Sequence, residues 1–416
     1  MKVLHVAHAW PPASLGGTER YADALARAQA VLGADVLRFG PADVPGRTGP
    51  GRVAGAARVG RGFAGSYANP AVERAFAGVL ARERPDIVHL HHLAHLSAGL
   101  AGLARAGGAR VVLTLHDAWV ACARGQLLDV DLQRCAGPSA EGCARCLAGE
   151  LWAPVPRSMA RLLPLRVDAV NARAAALRAM LDHTDLVLSP SRHLGGRLGI
   201  AANWMPLPLL EDAQQPPEPM SRAGDPAPPS GARPVRSFLF LGSMIPAKGP
   251  DIALAAFGAV ADPRLRLTLA GPSVPWRGSM AWSRALEARA RTTSGVQWRG
   301  GVAPAEVPSL LDAHDALVFP SIWVENSPLV LREARARGLL VLASDVPGAR
   351  EVAPEASFVP PGRSGAWAAA LRAAAASPPR VRTPLLDAPS LAGHASALLT
   401  RYESLLRAPA PVPPHP

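Results

Sequence analysis

The 416-residue chain is 49% hydrophobic and only 5% aromatic, and it carries a formal net charge of +12. That length exceeds what one hydrophobic core organises and predicts two domains of about 200 residues each. No apolar run reaches the ~18 residues of a membrane-spanning helix, and the sparse aromatics disfavour nucleic-acid binding. Two thirds of the positive excess falls in residues 1–210, which better suits an anionic membrane surface or an anionic lipid-linked substrate.

The opening MKVLHVAHAW has too short an apolar stretch, and no small-residue cleavage site, for a leader. It is expected to be the first strand, Val3–Ala7, of a cytoplasmic protein. A loop with Gly16 and Gly17 then meets a helical pattern over Thr18–Leu32, a combination able to receive an anion. Residues 41–70, rich in Gly, Arg, Pro and Ala, read as a flexible loop whose arginines at 47, 52, 58 and 61 are candidates for acceptor or membrane contact. A helix follows near Ala71–Arg84, then strands at Pro85–His92 and Arg110–Asp117. Strand alternation puts His89 and His91 on one face and His92 on the other, so a metal cluster there is disfavoured. His116 ends its strand and should therefore lie at a ligand-binding edge.

All four cysteines fall in one segment: Cys122, Cys135, Cys143 and Cys146, the last two spaced C-x2-C. Clustering in a cytoplasmic chain points to a structural zinc held by four thiolates, with disulfides or unligated thiols as alternatives. A closed four-sulfur shell would give the metal no catalytic role. A helical stretch at Arg161–His183 and a strand at Asp185–Ser191 close a first domain, 1–208, in which the Cys-rich segment 121–150 is an insertion. A Pro-rich linker is expected over 209–235.

The second domain, 236–385, opens with a strand ending at Gly242, then Ser243 and a loop that delivers Lys248 to a helix. Only Lys2 and Lys248 are lysines; every other cation is Arg. That bias suggests a compact point charge is wanted at 248. Strands at Leu265–Ala270, before Gly271, and at Val296–Gly301 follow, with a helix at Pro304–Leu311. Ala316–Phe319 then reads as a buried strand, Pro320–Ser321 as its exit, Pro328 as the start of a helix, and Leu339–Ala343 as the next strand. Glu325 lies in the loop and Glu333 inside the helix. The loop and helix N-terminus fall beyond the carboxyl end of the strand, where open α/β sheets bind ligands. Backbone N–H groups from Asn326, Ser327, Pro328 and Leu329 are expected to suit a phosphate. A C-terminal helix, 386–407, and a tail, 408–416, complete the chain.

The Glu-x7-Glu spacing, with Pro-Ser before it and a Gly-capped helix after it, resembles the donor-site signature of family 4 glycosyltransferases. The resemblance is strongest over 237–353 and implies the GT-B arrangement, α/β with two Rossmann-like domains facing a cleft, in which the C-terminal helix crosses back to the first domain. It implies that Glu333 holds a nucleotide ribose, Glu325 lies near the transferred sugar, and Lys248 pairs with the donor diphosphate. It places Gly242, Ser243 and Gly271 along the nucleotide, Gly16 and Gly17 towards phosphates or acceptor, and His116 near the donor sugar. Ser243 stands where the family usually has Arg, which removes one fixed positive charge.

The implied reaction is transfer of a sugar from a nucleoside-diphosphate sugar to a glycan or lipid-linked acceptor hydroxyl with retention, in polysaccharide or glycolipid synthesis. No Asp-x-Asp motif falls in the second domain, so no metal cofactor is expected at the donor site. Two alternatives stand beside it. A phosphorylase-like enzyme of the same fold would need a pyridoxal lysine, which the two lysines disfavour. A catalytically inactive, basic, zinc-containing interaction protein would bind membrane or nucleic acid.

Overall fold

The computed structural model describes residues 1–41, 52–57, 62–148, 167–210, 234–276, 278–378, 382–385 and 387–409. The expected Pro-rich linker lies almost wholly outside these residues, as does most of the tail. The chain divides into two compact units. One comprises Met1–Gly125, Gly137–Glu211 and Pro389–Pro416; the other comprises Gln126–Ala136 and Asp212–Ala388. The C-terminal helix, Leu391–Arg407, therefore belongs to the first unit, and Gln126–Ala136 groups apart from the rest of the Cys-rich segment. Among the described residues no helix is long and apolar enough to cross a membrane.

The first unit is built on a parallel sheet of order β3-β2-β1-β4-β5-β6-β7. Its strands are β1 (Lys2–Ala7), β2 (Asp35–Pro41), β3 (Arg52–Ala57), β4 (Ile87–His92), β5 (Arg110–Thr114), β6 (Leu186–Ser189) and β7 (Asn203–Trp204). The stretch 41–70, expected to be a loop, contributes β3, which pairs with β2 from Leu37↔Arg52 onward. Its sequence, RVAGAA, carries no marked apolar periodicity, so backbone pairing rather than side-chain pattern identifies it.

Three histidines enter the core of this sheet. His5 on β1 stands opposite His89 on β4, and period-2 alternation puts His91 on the same face as His89. All three are at most 1% exposed. Burial lowers the His5 pKa to about 4 and takes those of His89 and His91 well below the ordinary value, so each ring is neutral.

The second unit repeats the plan with a parallel sheet of order β10-β9-β8-β11-β12-β13. Its strands are β8 (Ser237–Leu241), β9 (Arg266–Ala270), β10 (Val296–Gly300), β11 (Ala316–Phe319), β12 (Leu340–Ser344) and β13 (Ser357–Val359). Both faces are covered, as the continuous apolar strands require. Phe238 and Phe240 of β8 point into one core with Trp367, while Leu239 points into the other with Leu317 and Leu331. Each such side chain contributes about 1.5–3 kcal/mol on burial.

Two strand exits come close enough to dictate a residue type. Gly271, after β9, has φ +134, and a side-chain carbon there would collide with the carbonyl of Gly242 after β8. Gly271→Ala should therefore destabilise the protein by on the order of 2–3 kcal/mol, read as a lower denaturation midpoint.

The buried histidines yield a second expectation. Their folded-state pKa values lie below the unfolded value of about 6.5, so below that pH the unfolded chain binds more protons. Stability is complete above about pH 6.5 and is lost as the pH falls towards about 4. Thermal unfolding followed from pH 7.5 to pH 4.5 should show a falling melting temperature, with uptake of more than one proton on unfolding.

Candidate active site

In each sheet the strand order reverses next to the first strand, between β1 and β4 and between β8 and β11. The carboxyl ends of strands at such a switch point form the ligand-binding crevice of open α/β sheets. The sequence-predicted residues fall at these two places.

In the second unit, Glu325 lies in the loop between β11 and the helix Leu329–Ala336. It is 3% exposed and adopts the left-handed φ of +51, uncommon for a residue with a side chain. Its carboxylate accepts from Lys248 Nζ at both oxygens, 2.8 and 3.0 Å, and from the Ser321 hydroxyl at 2.7 Å. Lys248 also sits 4.4 Å from the centroid of the Trp323 ring, a cation–π contact. A carboxylate this buried is tenable because a cation and a hydroxyl donor satisfy it.

The backbone makes this pairing possible. Lys248 ends a short 3-10 turn, Pro246–Lys248, closed by Gly249 at φ +72. A side chain on Gly249 would strike the carbonyl of Pro320. Ile322 N donates to the Ala247 carbonyl at 3.0 Å, lacing the two loops together. From the other side Gly348 N donates to Val324 O at 3.1 Å, and Gly348 lies so close to Glu325 and Asn326 that a side chain would not fit.

Asn326, Ser327 and Leu329 are buried along the same loop, and Arg332 Nη2 donates to Ser327 Oγ at 3.1 Å. Burial lowers the Arg332 pKa to about 10. Pro328 is the N-cap of the helix and has no side-chain cap bond. The expected row of outward N–H groups is corrected in one respect: Pro328 has no N–H to offer, so the row is broken at that position. Glu333, 8% exposed, lies within the same helix. Gly242, Ser243 and Gly271 follow β8 and β9 at the same edge of the sheet.

Sequence reasoning named Ser321 only as part of the strand exit and gave Trp323, Gly249 and Gly348 no role in the site. Ser321 and Trp323 precede Glu325 by four and two residues, so proximity to that glutamate was the available signal.

In the first unit, His8 follows β1, His92 ends β4, and His116 and Asp117 follow β5. Glu19 accepts from Ser14 Oγ at 2.8 Å and pairs with His8 Nε2 at 3.2 Å. Burial alone would raise its pKa, but His8 and the hydrogen bonds outweigh that and hold it at about 2. Glu19 also lies against Gly16, at the N-terminus of the helix Gly17–Val31. The Gly16–Gly17 turn, expected to receive an anion, thus already faces the chain's own carboxylate.

Asp117 Oδ2 stands 3.3 Å from His92 Nε2, and His92 rests 4.4 Å, ring to ring, from His8. His116 is partly buried beside them, with Nε2 at 3.4 Å from His91 Nδ1. Burial and the neighbouring His92 lower its pKa to about 3, so it offers a neutral ring.

The cysteines are less convergent than their spacing suggests. Cys143 and Cys146 lie on the helix Ala140–Ala148, and Cys122 precedes it in a turn. These three sulfurs are not gathered within 4.8 Å of one another, whereas the nitrogens of His5, His89 and His91 are. Cys135 belongs to Gln126–Ala136, which groups with the second unit. Among the described residues no three of these four sulfurs lie within 4.8 Å of one another. Arg173, whose Nη2 donates to the Trp119 carbonyl, lies beside Cys122 and Cys143, and burial lowers its pKa to about 10.

Comparison with known proteins places both units. The family described as Glycosyltransferase Family 4 matches residues 15–199, and that described as Glycosyl transferases group 1 matches residues 235–377. No curated protein sequence matches the chain. Among solved structures, the chain is similar to sucrose-phosphate synthase from Thermosynechococcus elongatus, with a TM-score of 0.64 and 19% identity over 97% of this chain and 96% of that one. It is also similar to the HepE protein of Anabaena, solved with UDP and glucose, with a TM-score of 0.60 and 16% identity over 97% and 95%. A trehalose-phosphate synthase from Burkholderia xenovorans, solved with glucose-6-phosphate, gives 0.63 and 14% over 98% and 100%. Identities this low speak for the fold alone. Two parallel sheets of matching order, with family matches across both units, make this chain a family 4 glycosyltransferase of the GT-B fold class.

Proposed function

We propose that the protein transfers a sugar from a nucleoside-diphosphate sugar to an acceptor hydroxyl with retention of configuration, without a metal ion at the donor site. The observation that carries this reading is the pairing of Lys248 with the buried Glu325 at the carboxyl edge of the second sheet, Glu325 lying on the loop that leads into the helix bearing Glu333. Glu333 accepts from the two ribose hydroxyls of the donor. Lys248 turns from Glu325 towards the diphosphate and stabilises the negative charge that develops on the leaving group. Glu325, released from part of that pairing, orients sugar hydroxyls next to the reacting carbon. Ser243 leaves Lys248 as the principal side-chain cation on the diphosphate, so its removal is expected to be severe.

Uridine is the base to try first, because similar structures were solved with UDP, UDP-glucose, or UDP and glucose. The acceptor we propose is a glycan or a lipid-linked glycan, reached at an anionic membrane surface; the basic excess in residues 1–210 supports that choice.

Calorimetric titration with UDP, GDP, ADP and dTDP tests the donor site. One nucleotide should bind, and Glu333→Ala should weaken it by about 10- to 100-fold, the loss of charge-assisted bonds worth roughly 1.5–3 kcal/mol. Lys248→Met should weaken the diphosphate by a similar factor and the nucleoside hardly at all. A folded protein that binds none of the four would overturn the transferase reading in favour of an interaction protein.

A further inference from the structure

A chain of polar side chains runs through the core of the first unit behind His116. His116 Nε2 is 3.4 Å from His91 Nδ1, His91 Nε2 is 2.9 Å from His5 Nδ1, and His5 Nε2 is 2.9 Å from Gln29 Oε1. Gln29 stands against the hydroxyl of Tyr402, whose pKa burial raises and Gln29 partly lowers. Tyr402 OH is 2.6 Å from His89 Nδ1, and His89 Nε2 is 2.8 Å from Thr114 Oγ1. Gln29 comes from the helix Gly17–Val31 and Tyr402 from the C-terminal helix.

Neutral imidazole has one donor and one acceptor, so the bond made at one nitrogen fixes the role of the other. A chain of neutral rings therefore runs in a single direction. Gln29 Oε1 sets it, because an amide oxygen can only accept. On the other branch a phenol hydroxyl is the better donor and an imidazole nitrogen the better acceptor, so Tyr402 donates to His89 Nδ1, and His89 must then donate from Nε2 to Thr114. His5 donates from Nε2, His91 donates from Nε2 to His5, and His116 donates from Nε2 to His91.

We propose that Gln29 is a positioning residue that holds His116, through His5 and His91, in the tautomer protonated at Nε2. The helix Gly17–Val31 thereby reaches a residue of the sugar-transfer site without touching the substrate. Only the effect on turnover rests on the transferase reading; the tautomer does not.

The same rings also converge as a metal set would, with nitrogens of His5, His89 and His91 within 4.8 Å of one another. All six of their ring nitrogens, however, already have hydrogen-bond partners. An ion would have to break the His5–His91 bond to enter, so the hydrogen-bond chain is the better account.

Long-range proton–nitrogen correlation spectra of the full chain labelled with 15N-histidine read each tautomer directly. His5, His89, His91 and His116 should all be protonated at Nε2 and unprotonated at Nδ1. Gln29→Leu removes the acceptor that sets the direction of the His5 branch. The variant should give His116 a mixed tautomer population and lower kcat by about 10-fold with the donor KM unchanged. His116 or His91 protonated at Nδ1 in the unmodified protein would overturn the proposal, as would stoichiometric metal on these rings. So would a folded Gln29→Leu protein with unchanged His116 tautomer, whatever its activity. Expected tautomers in a protein that transfers no sugar would instead count against the transferase reading alone.

Discussion

The pairing of Lys248 with the buried Glu325 is the constraint on which the carboxyl edge of the second sheet depends. A carboxylate 3% exposed would be untenable without a cation and hydrogen-bond donors. To reach Lys248, the backbone at Glu325 adopts a left-handed φ, a conformation costing of order 1–3 kcal/mol for a residue with a side chain. The surrounding contacts over-determine it: Ser321 binds the same carboxylate, Ala247 and Gly348 hold the loop by their backbones, and Trp323 lies against the ammonium. Gly249 and Gly348 are glycines because the loops they join approach too closely for a side chain. Strain, charge and close packing thus meet at one loop, which is where pre-organisation for ligand binding is most useful.

The two units use one topology for opposite electrostatics. In the second, fixed charges meet at the switch point: Lys248 and Glu325 are paired there, with Glu333 on the adjoining helix. In the first, the core behind the switch point is filled with imidazoles whose charged forms burial disfavours. A neutral ring neither repels nor attracts a diphosphate strongly, but it can donate and accept hydrogen bonds in fixed directions. That division suits a reaction in which charge is handled on one substrate and hydroxyl geometry on the other.

Much of this was legible in the sequence because parallel strands buried on both faces leave short apolar runs such as ALVF and SFLFL, each ended by a Gly or Pro. Glu325, Glu333 and Lys248 were legible for a related reason: each follows such a run at a fixed offset. What the sequence concealed was contact between distant segments. No local pattern shows that Gly271 must make room for the Gly242 carbonyl, or that Tyr402 meets His89. Strand β3 was hidden because its small side chains carry no alternating pattern, and its identity rests on pairing with β2. The C-x2-C spacing places Cys143 and Cys146 on one helix, but spacing along the chain does not by itself show where four sulfurs meet.

The opposite edge of each sheet explains why the chemistry gathers where it does. At the amino ends of the strands, aspartates from neighbouring segments take up the exposed N–H groups. Asp86 accepts from Lys2 N, Asp185 from Val111 N, and Asp315 from the N–H groups of Arg236 and Ser237. Those bonds are worth roughly 1.5–3 kcal/mol each because one partner is charged, and they fix where adjacent strands begin. With the amino edge closed by the chain's own carboxylates, the positive ends of backbone dipoles there have little left for a ligand. The carboxyl edge is different: its loops are longer and lead into helix N-termini. In the second unit that edge holds Lys248, whose charge Glu325 shares but does not bury, since the side chain remains 23% exposed. Lys248 is thus a partly exposed cation at the carboxyl edge of the second sheet, within reach of an anionic ligand.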